Sequence, residues 1–355
     1  KNGSSIVLEP PLREIEFLSH NFSKIIWLGF KKIDQKDLCR SPSNSKFELV
    51  SMPKSGGNTF LAKIGIFLNI ISYSKTVYKY MKTADIVHFR MPSVPGIIGL
   101  IINLYFNKNK GWIKYAGDWA GNAPFGYNIQ RHFLRYYKKL PVTILSKKHS
   151  NGHLHFIPNP CLSNTELKEN NINGFNKDFN GKINLLFVGS LSPYKRPEIL
   201  IKSYLKLINH KNIGVLNIIG DGVLYKKIKG LIKDKGDKII LRGFCSRNEI
   251  DYYYSISHLL VCPSNSEGFP KVIAEAMSFG CVPVVTALTG IKDLIKHKNT
   301  GWLLDEKDTL NNLNDSLKNL LNNKELLYSI SKNAIKDSRI FTYDKFNKII
   351  ENFIH

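Results

Sequence analysis

Charged and polar residues cluster where an apolar run in the C-terminal half of the chain gives way to a helical pattern. The run Leu259–Cys262 predicts a buried strand, and a short polar loop leads from it to Glu267-Gly268-Phe269. Pro270 then occupies a position favoured in the first turn of a helix, and Glu275 follows on that helix. Because the start of a helix presents unpaired N–H groups and the positive end of its dipole, this arrangement suits a phosphate group.

The residues of this segment have separate chemical uses. Gly268 has no side chain at a point where a ligand must come close, and Pro270 has no N–H to donate. The amides that remain to bind a phosphate are those of Phe269, Lys271 and Val272. Glu267 can accept hydrogen bonds from sugar hydroxyls and Glu275 from a ribose, which together predict a nucleotide-diphosphate-sugar site. On spacing alone, Glu267 could equally be an ordinary acid in a loop, and Glu275 could be a solvated residue of the helix.

The segment around Glu267 lies within a series of predicted strands and helices that alternate along the chain and must hold it in place. In the first half, strands are predicted at 24–29, 46–51, 86–89 and 112–116, with helical patterns at 60–80 and 95–106. In the second half, strands at 183–188, 215–219, 238–241, 258–261 and 283–285 alternate with helices at 198–208, 224–233, 248–256 and 271–279. A last helix is predicted at 343–354. Such alternation is typical of doubly wound parallel sheets, whose ligands bind at the carboxyl ends of the strands.

The size of the chain fits two such domains. It has 355 residues, of which 43% are hydrophobic, enough for two separate cores. The stretch 164–180 is rich in Asn, Lys, Asp and Gly and has weak apolar periodicity, so it predicts an inter-domain connection.

Several segments, in the same order along the chain, resemble those of one enzyme family. From Glu267 the sequence reads E-G-F-P-x-x-x-x-E-A, followed by Met277, Gly280 and Pro283-Val284-Val285. Residues 187–195 (F-V-G-S-L-S-P-Y-K) resemble a V-G-R-L-x-x-x-K segment, and 218–222 (I-I-G-D-G) resemble I-x-G-x-G. Residues 84–88 (A-D-I-V-H) resemble a strand A-D-V-V-H. These segments are similar to those of glycosyltransferase family four, which has the GT-B fold.

The resemblance implies an α/β architecture of two Rossmann-like doubly wound parallel-sheet domains that face each other across a cleft. Residues 1–165 would form the acceptor-binding domain and residues 166–339 the donor-binding domain. The terminal helix, at about 340–355, would return to pack on the N-terminal domain.

The resemblance also assigns roles to residues of the donor site. It implies that Glu267 contacts the hydroxyls of the donor sugar and Glu275 the ribose, while Lys195 binds the diphosphate and stabilises the leaving nucleotide. Residues near the phosphates and the base would be Gly268, Phe269, Lys271, Val272, Gly220 and Phe244. Ser190 stands where the family has an arginine, so we expect Arg196 or Lys271 to supply the missing positive charge.

The first half offers fewer candidates. Asp118 follows a predicted strand, with Gly117 where many family members have a histidine, and it could orient the acceptor hydroxyl, contact the donor sugar or cap a turn. His88 is interpreted either as a core histidine or as an active-site group. The segment 55–59 (S-G-G-N-T) is either a phosphate-approaching loop or a plain turn.

The charge of the chain bears on its partners. The formal net charge is +23, and residues 51–150 contain 15 Lys or Arg but only two acids, Asp85 and Asp118. Such a basic half attracts phosphorylated substrates, anionic lipid headgroups or nucleic acid. The basic and aromatic segment 131–140 (RHFLRYYKKL) fits a membrane surface, a single-stranded nucleic acid or a surface helix. No nucleic-acid-binding motif accompanies it, so we expect no nucleic-acid partner.

These observations predict a retaining glycosyltransferase that uses a UDP- or GDP-sugar and needs no metal or other cofactor. Its acceptor would be a glycan or a polyprenyl-pyrophosphate-linked glycan, in the synthesis of a bacterial surface polysaccharide. The alternatives are a nucleotide-sugar epimerase, a phosphorylase or a non-enzymatic nucleic-acid-binding protein. Five widely spaced cysteines without a C-x-x-C pair predict a reducing, cytoplasmic location, and the basic half predicts peripheral attachment to the inner face of the cell membrane.

Overall fold

Parallel sheets organise both halves of the computed structural model, which describes residues 7–30, 39–53, 60–121 and 124–355. The N-terminal half consists of β1 (Val7–Leu8), α1 (Glu9–Leu18), β2 (Ile25–Phe30), β3 (Cys39–Arg40), β4 (Phe47–Met52), α2 (Phe60–Thr83), β5 (Val87–Met91), α3 (Val94–Phe106), β6 (Gly111–Tyr115), α4 (Phe125–Tyr136), β7 (Val142–Ile144) and β8 (Leu154–Phe156). Strands β5-β6-β7-β8 form a four-stranded parallel sheet, β2 and β4 form a parallel pair, and β1 and β3 pair antiparallel. The segment 55–59, considered above as a phosphate loop, lies outside the described residues.

The C-terminal half is built on one larger sheet. Its elements are α5 (Asn164–Phe175), β9 (Ile183–Val188), α6 (Pro197–Leu207), β10 (Ile213–Ile219), α7 (Tyr225–Leu231), β11 (Ile239–Gly243), α8 (Arg247–Ile256), β12 (Leu259–Cys262), α9 (Lys271–Ser278), β13 (Val282–Thr286), α10 (Thr289–Lys292), β14 (Trp302–Leu304), α11 (Thr309–Asn322), α12 (Lys324–Ser338) and α13 (Tyr343–Ile354). The sheet is parallel throughout, in the order β11-β10-β9-β12-β13-β14. The strand order therefore reverses between β9 and β12, which is where ligands bind in doubly wound folds.

Most predicted elements of the second half are confirmed, because their strands are apolar on both faces. All four residues of β12 and all five of β13 are buried, as expected for central parallel strands covered by helices on each side. The strand predicted at 183–188 coincides with β9, and the last predicted helix coincides with α13.

The prediction that 164–180 is an inter-domain connection is wrong. Residues 164–175 form helix α5, which begins with a capping box: the Ser163 hydroxyl accepts from the Glu166 amide at 3.1 Å, and the Glu166 carboxylate accepts from the Ser163 amide at 2.7 Å. A Cβ at Gly174 would lie 2.8 Å from the carbonyl carbon of Phe279, so the helix packs directly on the end of α9. The cap and this packing outweigh the weak apolar periodicity.

Strands β5 and β6 present different residues to the two faces of the N-terminal sheet. Val87, Phe89, Ile113 and Tyr115 point to a core shared with α2, α3 and α4. On the other face, Trp112 packs with apolar residues of α1 and of the terminal helix α13, namely Ile15, Leu18, Phe346, Ile350 and Ile354. The C-terminal end of the chain therefore lies against the N-terminal sheet.

Candidate active site

The loops after β9 and β12 meet at the point where the strand order reverses. Lys195 lies in the first loop and Glu267 in the second, and their side chains form an ion pair. The Ser264 hydroxyl donates a hydrogen bond of 3.0 Å to Oε1 of Glu267. The two side chains retain 15% and 11% of their exposure, so the pair is partly buried but reaches solvent.

Backbone contacts hold these loops together. The Asn265 amide donates to the Tyr194 carbonyl at 2.9 Å, which fixes the Glu267 loop against the Lys195 loop. Gly220, at the end of β10, has a φ of +144°, and a Cβ there would lie 1.8 Å from the Gly189 carbonyl oxygen. The glycine of the I-x-G-x-G segment thus allows two loops to approach each other.

The start of α9 has the form predicted for a phosphate site. Pro270 caps the helix, and the amides of Lys271 and Val272 fall in the first turn, where a helix provides no acceptor for them. The Phe269 ring is buried and stacks on Phe341 at 5.0 Å between ring centroids, so this side chain anchors the loop in the core. The Lys271 ammonium donates to the Pro10 carbonyl of α1 at 3.2 Å.

The loop that carries Glu267 and Gly268 faces the loop that follows β6. A Cβ at Gly268 would lie 3.5 Å from the backbone oxygens of Ala116 and Gly117, so the two halves of the chain meet here. The next residue, Asp118, accepts hydrogen bonds of 3.0 Å from the amides of Ala120 and Gly121. In the structure its carboxylate holds the turn of its own loop.

Glu275 has two partners on α8 that the sequence reasoning missed. Its carboxylate accepts a 3.2 Å hydrogen bond from the Tyr254 hydroxyl and lies 3.4 Å from Nη1 of Arg247. Burial alone would lower the pKa of Arg247, but Glu275 and Glu166 together raise it above its ordinary value. The two partners are seven residues apart, a spacing that places them on one helix face and could have identified them.

Ser190, and Arg196 as one of the two residues expected to replace the missing positive charge, both contact other residues of the chain. The Ser190 hydroxyl lies 3.2 Å from the hydroxyl oxygens of Ser192 and Tyr194. Nε of Arg196 donates to the Pro263 carbonyl at 2.6 Å, and Nη2 donates to the Thr309 hydroxyl at 3.0 Å. The guanidinium of Arg196 therefore braces the end of β12.

Phe244, which follows β11, has an exposed ring.

A second carboxylate–lysine pair lies beneath α1 in the N-terminal half. Nζ of Lys114 contacts Glu14 at 2.5 Å, and Nη1 of Arg90 lies 3.7 Å from the same carboxylate. Burial alone would raise the pKa of Glu14, but Lys114, Arg90 and Lys271 together lower it to about 2. Burial lowers the pKa of Lys114 to about 8 against the attraction of Glu14.

His88 is partly buried beside Trp112 in the N-terminal sheet. Its ring stacks on Trp112 with 4.1 Å between centroids, and its Nδ1 lies 3.2 Å from the Trp112 carbonyl oxygen. Burial lowers the pKa of His88 to about 4, so its imidazole is neutral at neutral pH.

Within the described ranges, no three or more His, Cys, Asp or Glu side chains come together as a metal site. None of the helices in the described part of the chain combines the length and apolar character that crossing a bilayer needs. All five cysteines are free thiols, and Cys262 and Cys281 are buried.

The two parallel-sheet halves of the chain have the GT-B fold. The structure superposes on a sucrose-phosphate synthase from Thermosynechococcus elongatus with a TM-score of 0.72 and 17% identity, over 96% of this chain and 90% of that one. Residues 168–337 match the family model described as glycosyl transferases group 1. The predicted GT-B fold and the resemblance to group 1 glycosyltransferases are confirmed, whereas family four and retention of configuration stay predictions.

Two curated relatives each match just under half of the chain. An uncharacterized glycosyltransferase of Methanocaldococcus jannaschii is 34% identical over 178 residues, which are 49% of this chain and 49% of that protein. An N-acetylgalactosamine-N,N'-diacetylbacillosaminyl-diphospho-undecaprenol 4-alpha-N-acetylgalactosaminyltransferase of Campylobacter jejuni is 30% identical over 160 residues, which are 44% and 42% of the two chains. The matched segments thus span about half the length of these curated relatives, or less.

Proposed function

We propose that this chain is a glycosyltransferase that moves a sugar from a UDP- or GDP-sugar to a glycan, with retention of the anomeric configuration. The observation that carries the proposal is the Lys195–Glu267 pair at the reversal of strand order, beside the amides that begin α9. A cation and free amides suit a diphosphate, and the adjacent carboxylate suits the hydroxyls of the attached sugar.

In the proposed reaction, the bond between the anomeric carbon and the diphosphate oxygen breaks while the acceptor hydroxyl bonds to the same carbon. Lys195 and the amides of Lys271 and Val272 stabilise the negative charge on the leaving diphosphate. The acceptor hydroxyl attacks from the face that the diphosphate leaves and gives its proton to a departing phosphate oxygen. Lys195 supplies the charge that a divalent cation would otherwise provide, so the reaction proceeds without metal.

The acceptor that we propose is a glycan linked to a polyprenyl pyrophosphate, used to build a bacterial surface polysaccharide such as a capsule, an exopolysaccharide or a lipopolysaccharide. The Campylobacter relative is named for a diphospho-undecaprenol-linked acceptor, and this supports the same class of acceptor here. The basic N-terminal half is complementary to such a phosphorylated acceptor.

We also propose that the N-terminal half lies on the inner face of the cell membrane. Helices α2, α3 and α4 expose large apolar side chains, among them Leu68, Ile71, Leu104, Tyr105, Phe125 and Tyr136. Residues 51–150, which include these helices, have 15 basic side chains against two acids. Exposed apolar side chains together with an excess of basic ones suit an anionic membrane.

A thermal-shift screen with UDP, GDP, ADP, CMP and the corresponding sugars tests the donor site. We expect one nucleoside diphosphate and its sugars to raise the melting temperature by a few degrees at 100 times Kd, because this adds about 2.7 kcal/mol to the free energy of unfolding. Lys195→Ala should abolish the shift, and Lys318→Ala on α11 should retain it. Equal shifts in both variants, or no shift with any nucleotide, would refute the proposed donor site.

The Glu267→Ala variant tests the reaction itself. We expect transfer to stop while the melting temperature of the free protein stays close to that of the wild type. Normal turnover by this variant would contradict the role proposed for Glu267.

A further inference from the structure

A cavity of about 430 Å³ lies between α4 and the loop that follows β6, away from the Lys195–Glu267 pair. This volume is within the range of small-ligand sites. The lining side chains that matter here are those of Trp119, Ile129, Arg131, His132 and Arg135. The cavity adjoins the loop that follows β6. That loop begins at Ala116 and Gly117, which face Gly268 in the loop that carries Glu267.

The lining is cationic. Arg131 is buried, and its Nη1 donates to the carbonyls of Trp119 and Gly121 at 2.8 Å each, so this guanidinium fixes the loop. Arg135 and His132 are exposed, and Arg135 has no carboxylate within ion-pair distance in the described part of the chain. Among the residues that the structure describes, no Asp or Glu lines the cavity. A guanidinium in such a site binds phosphate oxygens in pairs, with fixed geometry.

Two further features distinguish this cavity from a patch of surface charge. Trp119 is fully buried in its wall, and its indole N–H has no hydrogen-bond acceptor among the described residues. An apolar stripe also runs along the exposed face of α4, where Phe125, Ile129 and Tyr136 are 81%, 52% and 70% exposed. Their spacing of four and seven residues places them on one side of the helix. A cationic cavity beside an apolar stripe matches a phosphorylated head joined to a hydrocarbon tail.

We propose that this cavity binds the diphosphate of a prenyl-diphosphate-linked acceptor, with Arg135 and His132 on the phosphates and the prenyl chain along Phe125, Ile129 and Tyr136. The inference rests on the proposed function, because it names the acceptor subsite of the same reaction. The acceptor glycan would extend from the cavity along the Asp118–Gly121 loop toward Gly268.

Binding of farnesyl diphosphate to the full chain tests this subsite without the donor. We expect Arg135→Ala to weaken binding about tenfold, the loss of one charge-assisted contact, and Arg135→Ala with His132→Ala to weaken it further. Lys348→Ala, which removes an exposed charge from α13, and Lys195→Ala in the donor site should leave the dissociation constant unchanged. Farnesol, which has no phosphate, should bind far more weakly than farnesyl diphosphate.

Each other outcome overturns the inference. Absence of binding to the wild type, or equal binding by Arg135→Ala, excludes the cavity. Loss of binding in Lys195→Ala instead would place the diphosphate in the donor site. If Arg135→Ala impairs binding to phosphatidylglycerol vesicles but farnesyl diphosphate does not bind, the cavity is a lipid-headgroup site. The nucleotide thermal-shift screen, repeated with the Arg135→Ala variant, tests the donor site independently of this cavity. We expect Arg135→Ala to bind the nucleotide as the wild type does.

Discussion

Two carboxylate–lysine pairs, one in each half of the chain, have the same chemical groups in opposite surroundings. Lys114 and Glu14 are 3% and 0% exposed, beneath α1 and beside the aromatic ring of Phe346. Lys195 and Glu267 are 15% and 11% exposed, in loops at the carboxyl ends of the central strands. The first pair is closed in by Arg90 and by the helices α1 and α13, while the second reaches solvent.

The difference indicates separate roles for the two pairs. Removing one member of a fully buried pair leaves an uncompensated charge in a poorly polarisable interior. The two side chains of such a pair therefore stay in contact in the folded protein. The partly exposed pair can exchange its internal contact for a ligand, because water and an incoming diphosphate can solvate both groups. We therefore expect substitutions in the first pair to affect stability and substitutions in the second to affect turnover.

The largest effect should come from Lys195→Ala. We expect transfer to fall about a thousandfold, or about 4 kcal/mol in the barrier, since a preorganised charge on the leaving group is lost. The free energy of unfolding, measured with urea, should change by only about 1 kcal/mol. A variant that is as active as Lys318→Ala would show that the pair has no catalytic use.

The substitution Lys114→Ala should have the opposite result. We expect the free energy of unfolding to fall by about 3 kcal/mol, because Glu14 would remain buried without its partner. Replacing both residues by leucine should recover most of this loss, and Lys110→Ala, at an exposed position before β6, serves as the control. If Lys114→Ala left stability unchanged but removed turnover, the comparison between the two pairs would fail.

Lowering the pH should reduce the difference in the free energy of unfolding between the wild type and Glu14→Gln. The pKa of Glu14 is lowered from 4.5 to about 2, so its contribution is present above pH 4.5 and is lost as the pH falls toward 2. The stability difference between wild type and Glu14→Gln should shrink by about 2 kcal/mol between pH 5 and pH 3. Urea unfolding at the two pH values measures it, and a constant difference would mean that Glu14 is not held as a carboxylate.

Metal removal should have the smallest effect. If Lys195 provides the positive charge for the leaving group, then dialysis against EDTA should leave transfer rates unchanged, within assay error. Loss of activity that Mg²⁺ or Mn²⁺ restores would show that the Lys195–Glu267 pair acts together with a cation.

Much of the C-terminal half could be predicted from sequence because its elements are set by local patterns. The runs that became β9 and β12 are apolar at nearly every position, as a strand buried on both faces requires. Helix α5 was mistaken for a connection because its stability depends on a cap and on packing against α9. The short strands β7 and β8 were not predicted, since three residues provide too little periodicity.

The Lys195–Glu267 site was predictable only in part. The positions of Glu267 and Lys195 followed from motifs, and the strand order placed them together. The contacts of Glu275 with Arg247 and Tyr254 depend on how α8 packs on α9, which no local pattern specifies. For the same reason, the guanidinium of Arg196 binds Pro263 and Thr309, although its place beside Lys195 suggested a phosphate contact.

The sequence by itself determined the class of the protein. Its motif residues lie at strand ends and helix starts, and local sequence patterns are enough to predict those positions. Only the tertiary structure decided which charges are partners. Glu14 and Lys114 are 100 residues apart, and Lys195 and Glu267 are 72 apart, so each pair exists only because parallel strands and their crossover helices bring distant segments together. Burial, which also depends on that packing, then decides which pair is structural and which remains open to a ligand.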